Sequence, residues 1–77
     1  MSELDRIRWH CRRGMLELDL ALNAFLERHF HRLDRGEVDA FNQLLAYPDT
    51  DLLDFIMGRA EPENERLRGV LRLVRGA

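Results

Sequence analysis

Lysine is absent from this 77-residue chain, and serine and cysteine each occur once, at Ser2 and Cys11. A single thiol closes no internal disulfide, which points to a reducing compartment. A lone serine at the terminus gives no basis for hydrolytic catalysis. No apolar run approaches the roughly 20 residues needed to cross a bilayer. The opening MSELDRIRWH mixes acids with bases and lacks an apolar stretch, so it does not read as a secretory signal, and it is too short and acidic for a mitochondrial transit peptide. The expected location is the bacterial cytoplasm, or an organelle matrix after removal of a presequence, with no membrane insertion. There is no Gly-rich phosphate loop, no H-x-x-x-H and no C-x-x-C. His29 and His31 stand two apart and His10 and Cys11 are adjacent, spacings that diverge around a helix. Neither a metal site nor a stably held cofactor is expected.

The charge is small in sum and uneven in distribution. The formal net charge is −2, yet residues 34–65 hold nine acids against Arg35 and Arg59, whereas residues 66–77 carry four arginines and no acid. An acidic middle argues against a broad nucleic-acid surface, since phosphate contacts need clustered positive charge. The four C-terminal arginines read as a solvated face balanced by the acids before them.

With 45% hydrophobic residues, the chain has the composition of one small globular domain spanning 1–77, near the lower size limit for folding without staples. Every apolar stripe has a helical period, and no segment alternates as a strand would. Ser2 with Asp5 makes a capping-box pattern for a first helix, whose inner face is Leu4, Ile7 and Cys11. Gly14 interrupts it. A second helix is expected from about Met15 to Phe30, with Met15, Leu18, Leu22, Phe25, Leu26 and His29 inward and Leu16 and Leu20 widening that face. Asp34 with Glu37 caps a third helix, on which Val38, Phe41 and Leu45 face inward, and Pro48 ends it. Asp49 or Thr50 is expected to cap a short fourth helix that stops at Gly58. Pro62 suits the first turn of a fifth, packed through Leu67, Val70, Leu71 and Val74. The fold class is therefore all-α, a compact bundle of five helices joined by short links.

The stretch CRRGMLELD, from Cys11 to Asp19, is the least comfortable part of this scheme. As one continuous helix it would carry Gly14 at a cost of about 0.8–1.0 kcal/mol relative to alanine. An Arg13–Glu17 pair at i, i+4 contributes only about 0.2–0.5 kcal/mol and runs in the less favourable order. An arginine opening the second helix also meets the positive end of its dipole. As a corner the same residues make better sense. Gly14 ends the first helix, Arg13 is expected to project, and Glu17 lies one turn on along the same side. Spacing alone leaves two readings open, a solvated corner and a docking point for a partner's polar groups.

The corner RRGMLELD resembles the signature of the SdhE (YgfY) family of succinate dehydrogenase assembly factors. Its Arg-Gly-x-x-Glu hallmark falls on Arg13, Gly14 and Glu17, with Trp9 and Arg12 before it and Asp19 after it. FNQLLAYPDTDLLDFIMG is similar to the family's third and fourth helices, so the likeness spans nearly the whole chain. The resemblance implies a five-helix chaperone, not an enzyme. It promotes covalent attachment of FAD to the flavoprotein subunit of succinate dehydrogenase, and of fumarate reductase where present. The reacting histidine belongs to that partner, as does the FAD. The resemblance further implies that Trp9, Arg12, Arg13, Gly14, Glu17 and Asp19 form the partner-binding corner. In that picture Arg13 and Glu17 make charge-assisted hydrogen bonds, Gly14 permits close contact, and Trp9 anchors. Some relatives carry a different implication, that of an antitoxin-like regulatory protein opposing a membrane-associated toxin.

Overall fold

Five α-helices and one 3-10 turn account for the regular structure in the computed structural model, which describes residues 2–76. They are α1 (Glu3–His10), α2 (Leu16–His29) running into the 3-10 turn Phe30–Arg32, α3 (Arg35–Leu45), α4 (Asp49–Ile56) and α5 (Glu65–Arg75). No strand occurs among the described residues. The all-α class and the five-helix architecture expected from periodicity are both present.

Local chemistry sets most of the boundaries. Ser2 Oγ accepts from the Asp5 N–H at 3.1 Å, and the Asp5 carboxylate reaches back to the Ser2 N–H at 3.4 Å, closing the capping box of α1. Asp34 and Glu37 do the same for α3, at 2.8 and 3.1 Å. Each box satisfies helix-end donors that have no intrahelical partner. Gly58, with φ of +79°, turns the chain out of α4 in the left-handed region that glycine adopts at little cost. Two expected starts differ. Pro48, not Asp49 or Thr50, is the N-cap of α4, and Asp49 opens the helix itself. Helix α5 starts at Glu65, capped by the Asn64 side chain, which accepts from the Arg66 N–H at 2.8 Å. Pro62 is instead buried in the α4–α5 link, outside the helix.

The core gathers Ile7 and Cys11 from α1, Leu18, Leu22, Phe25 and Leu26 from α2, and the inward residues of α3, α4 and α5. Phe25 and Phe41 meet at its centre with ring centroids 4.8 Å apart, and Tyr47 packs edge-on against Phe55 at 5.0 Å. Such offset and edge contacts suit the ring quadrupoles. His29 lies half-buried with its ring 5.6 Å from Phe25, at the boundary its place on the apolar stripe implied. Leu16 and Leu20 overturn expectation: they are 74% and 61% exposed. The core takes the Leu18–Leu22–Phe25 side of α2, and a helix of this width cannot bury both flanks against one layer.

The C-terminal arginines also depart from a purely solvated face. Arg75 donates from Nε to the Phe55 carbonyl at 2.8 Å and from Nη1 to Glu61 at 2.9 Å. Arg68 bonds the Pro62 and Glu63 carbonyls at 2.9 and 2.8 Å. Both hold the α4–α5 link against α5, while Arg66 and Arg72 remain exposed.

Candidate functional site

The corner between α1 and α2 is built by three residues that satisfy one another. Helix α1 ends at Cys11, whose N–H bonds back to Ile7 and Arg8. Gly14 then adopts φ of +77°, which an L-residue adopts at a cost of about 1–2 kcal/mol. A Cβ placed there would meet nothing within 4 Å, so the backbone conformation, not crowding within the chain, calls for glycine. Met15, the N-cap of α2, offers no side-chain acceptor. Asp19, in the first turn and a half of α2, instead ties down the corner backbone ahead of the helix, accepting from the Arg13 N–H at 2.9 Å and the Gly14 N–H at 3.2 Å. A carboxylate here also lies at the favourable positive end of the α2 dipole.

Arg13 does not project. Its guanidinium turns inward and the side chain is only 14% exposed. Nε donates to the His10 carbonyl at 2.9 Å, and Nη1 to the Tyr47 carbonyl at 3.2 Å and Asp49 Oδ1 at 2.8 Å, while Nη2 donates to the Leu45 carbonyl. The Leu45 and Tyr47 carbonyls lie at the end of α3 and just beyond it, and Asp49 is in the first turn of α4. One planar fork with five donors thus gathers orphan carbonyls from the ends of two helices and a carboxylate from a third. The expected outward fork is corrected to a stitch that fixes the first corner against the α3–α4 corner.

What the corner shows to solvent is the remainder of the motif. Trp9 is 69% exposed. Arg12 and Glu17 are exposed, and neither side chain has a hydrogen bond or ion pair among the described residues. Of the six candidate residues, Trp9, Arg12, Gly14 and Glu17 therefore face outward, and Arg13 and Asp19 form the frame behind them. Sequence reasoning missed Asp49 as the ionic partner of Arg13, because the chain separates them by 36 positions. It also missed Leu16 and Leu20 as surface residues. Trp9, Leu16 and Leu20 are large apolar residues left exposed.

Beneath this face Cys11 is fully buried. Burial pushes its thiol up to about 12, against a lowering pull from Arg13 and a smaller upward push from Asp19. A thiol so neutral is neither nucleophile nor metal ligand at physiological pH. No group of three or more His, Cys, Asp or Glu side chains is placed to hold a metal among the described residues.

Comparison with known proteins now bears on this geometry. Residues 5–77 match the family described as flavinator of succinate dehydrogenase. The FAD assembly factor SdhE of Coxiella burnetii is 45% identical over 69 residues, which cover 90% of this chain and 84% of that protein. The chain belongs to this family. Further relatives match at a similar level of identity. The FAD assembly factor SdhE of Legionella pneumophila (strain Lens) is 46% identical over 65 residues, covering 84% of this chain and 82% of the relative. That of Pseudomonas aeruginosa is 41% identical over 73 residues, covering 95% and 87%. These relatives are named for assembly and not for a catalysed reaction. No described helix of the chain is long and apolar enough to cross a membrane.

Proposed function

We propose that this chain is an FAD assembly factor of succinate dehydrogenase that docks on the flavoprotein subunit through the α1–α2 corner. The observation that carries the reading is the division of labour within the motif. Arg13 and Asp19 spend their hydrogen bonds inside the chain, so the corner is rigid before any partner arrives. Trp9, Arg12 and Glu17 stand on it with no internal partner. A pre-organised face of this kind binds without the entropy cost of ordering a loop. Tryptophan and arginine are the side chains most enriched among residues that dominate binding, and Glu17 can accept charge-assisted hydrogen bonds from a cationic partner group.

In this reading the chain supplies position, not a reacting group. The FAD and the histidine that receives it belong to the partner. Holding that partner's domains so that nucleophile and acceptor meet can lower a barrier by up to about 7–11 kcal/mol with no added functional group. The flavoprotein subunit of fumarate reductase is a second client that the family resemblance implies.

The test is reconstitution. Purified flavoprotein subunit lacking flavin is incubated with FAD, with and without the chain, and covalent flavin is read by fluorescence in a denaturing gel. The chain is expected to raise the fraction of covalently labelled subunit. Equal labelling with and without it overturns the proposal. Repeating the assay on the fumarate reductase subunit decides whether the second client is served.

A further inference from the structure

Asp49 lies outside the motif, 36 positions along the chain from Arg13, yet its Oδ1 accepts from Arg13 Nη1 at 2.8 Å. Among the described residues it is the one carboxylate within 4.0 Å of that guanidinium. The other acid of the corner, Asp19, accepts from the backbone N–H groups of Arg13 and Gly14 instead. The remaining acceptors around the guanidinium are neutral, the carbonyls of His10, Leu45 and Tyr47. Asp49 therefore supplies the counter-charge to a largely buried cation. Arg13 Nε in turn holds the His10 carbonyl at 2.9 Å, and His10 follows Trp9 in the last turn of α1. A chain of contacts thus runs from the start of α4 through Arg13 to the end of α1. Asp49 also opens α4, where an acid favours the positive end of the helix dipole. Asp51 shares that first turn, is exposed, and has no hydrogen bond or ion pair among the described residues. Of the two acids, only Asp49 reaches Arg13.

We infer that Asp49 is a positioning residue for the docking corner: it keeps the Arg13 guanidinium inward, and that guanidinium holds the end of α1 where Trp9 meets the flavoprotein subunit. The inference rests on the reading that this corner docks on that subunit, and it adds a residue from another helix to the site. Its physical basis is the cost of an unpaired charge. Without Asp49 the guanidinium is left part-buried among neutral acceptors, and removing one partner of such a pair strongly penalises the charge that stays. Water offers the release. A guanidinium that swings outward drops the His10 carbonyl and with it the tie on the last turn of α1. Trp9 and Arg12 are then still present but no longer held in one arrangement, so binding carries the entropy cost of ordering them.

The test compares the full chain with Asp49→Asn, Asp49→Glu and Asp51→Asn in the cold, after circular dichroism has measured the helical content of each. Binding to the flavin-free flavoprotein subunit is measured by titration calorimetry. Fluorescence anisotropy of Trp9, the single tryptophan, reports how firmly the end of α1 is held in the free chain. Asp49→Asn is expected to weaken binding about tenfold and to lower the anisotropy. Asp51→Asn removes the same charge from the same helix end and should leave both unchanged. Asp49→Glu keeps the charge, and its longer side chain has room at a site 40% exposed, so it should restore both most of the way. If the parent binds and Asp49→Asn binds equally well, the positioning role is overturned while the corner reading stands. Weakened binding with unchanged anisotropy would make Asp49 a direct contact of the partner and overturn it too. So would an equal loss in Asp51→Asn, an absence of rescue by Asp49→Glu, or a loss of helical signal in Asp49→Asn, which would make Asp49 a residue of the fold alone. If the parent does not bind the subunit at all, the docking reading itself falls, and this inference with it.

Discussion

Replacing Arg13 with alanine should unfold this domain far more readily than its place in a recognition motif suggests. The substitution removes three bonds that cross between elements, to the Leu45 and Tyr47 carbonyls and to Asp49, and one local bond to the His10 carbonyl. At about 1 kcal/mol for each crossing bond, the loss is about 3 kcal/mol. The local bond is left out of this sum because solvent at the end of α1 can replace it. A domain of this size has about 4–11 kcal/mol of stability in all. With a shift of about 4–8 °C per kcal/mol, the melting temperature should fall by about 12–24 °C. Circular dichroism at 222 nm during heating measures it directly. Arg13→Lys should fall between parent and alanine, since a lysine keeps the charge near Asp49 but cannot span several carbonyls as a planar fork does. Melting of Arg13→Ala within about 3 °C of the parent would refute the reasoning and return Arg13 to the solvent-facing role that its motif implies.

Other variants separate frame from face. Gly14→Ala should cost about 1–2 kcal/mol through the left-handed backbone alone, and Gly14→Asn less, because asparagine tolerates that region; equal denaturant midpoints for parent and alanine variant would contradict it. Glu17→Ala should leave stability within about 0.5 kcal/mol of the parent, as for an unpaired surface residue, while lowering covalent flavin on the partner; a large loss of stability would show an internal role. The Cys11 thiol ionises near its ordinary value of 9.0 when unfolded and at about 12 when folded. The unfolded state therefore loses its proton first as pH rises, and stability from this group falls above about pH 9, by up to about 1.4 kcal/mol per pH unit until about pH 12. Cys11→Ala should remove that slope from urea midpoints taken between pH 8 and 11; parallel slopes in parent and variant would contradict burial of the thiol.

The parts of this structure that were legible in the sequence are those governed by neighbours in the chain. Capping boxes act over three positions, and the stop at Gly58 depends on one residue's backbone freedom, so Ser2–Asp5, Asp34–Glu37 and Gly58 read correctly. Helix α1 instead ends at His10 with Cys11 as its C-cap, and Gly14 turns the corner three residues later. The direction of Arg13 was not legible, because it is decided by where the end of α3 comes to rest, more than thirty residues away. Leu16 and Leu20 failed for a related reason. Helical period admits a broad apolar face on α2, and only the packing of α3 and α5 fixes which half of it is covered. Asp19 was marked for its place in the motif, yet its carboxylate is spent on the Arg13 and Gly14 N–H groups of the corner itself. The corner between α1 and α2 was legible in the sequence, while the roles of its residues divided between frame and face only in three dimensions.

Hydrogen exchange on this chain, alone and bound to the flavoprotein subunit of succinate dehydrogenase, tests the central claim most directly. Amides from residues 9–20, covering the corner and the start of α2, should gain protection on binding, while those of α5 exchange as in the free chain. Protection confined to α5 and the α4–α5 link, with the corner unchanged, would contradict the account.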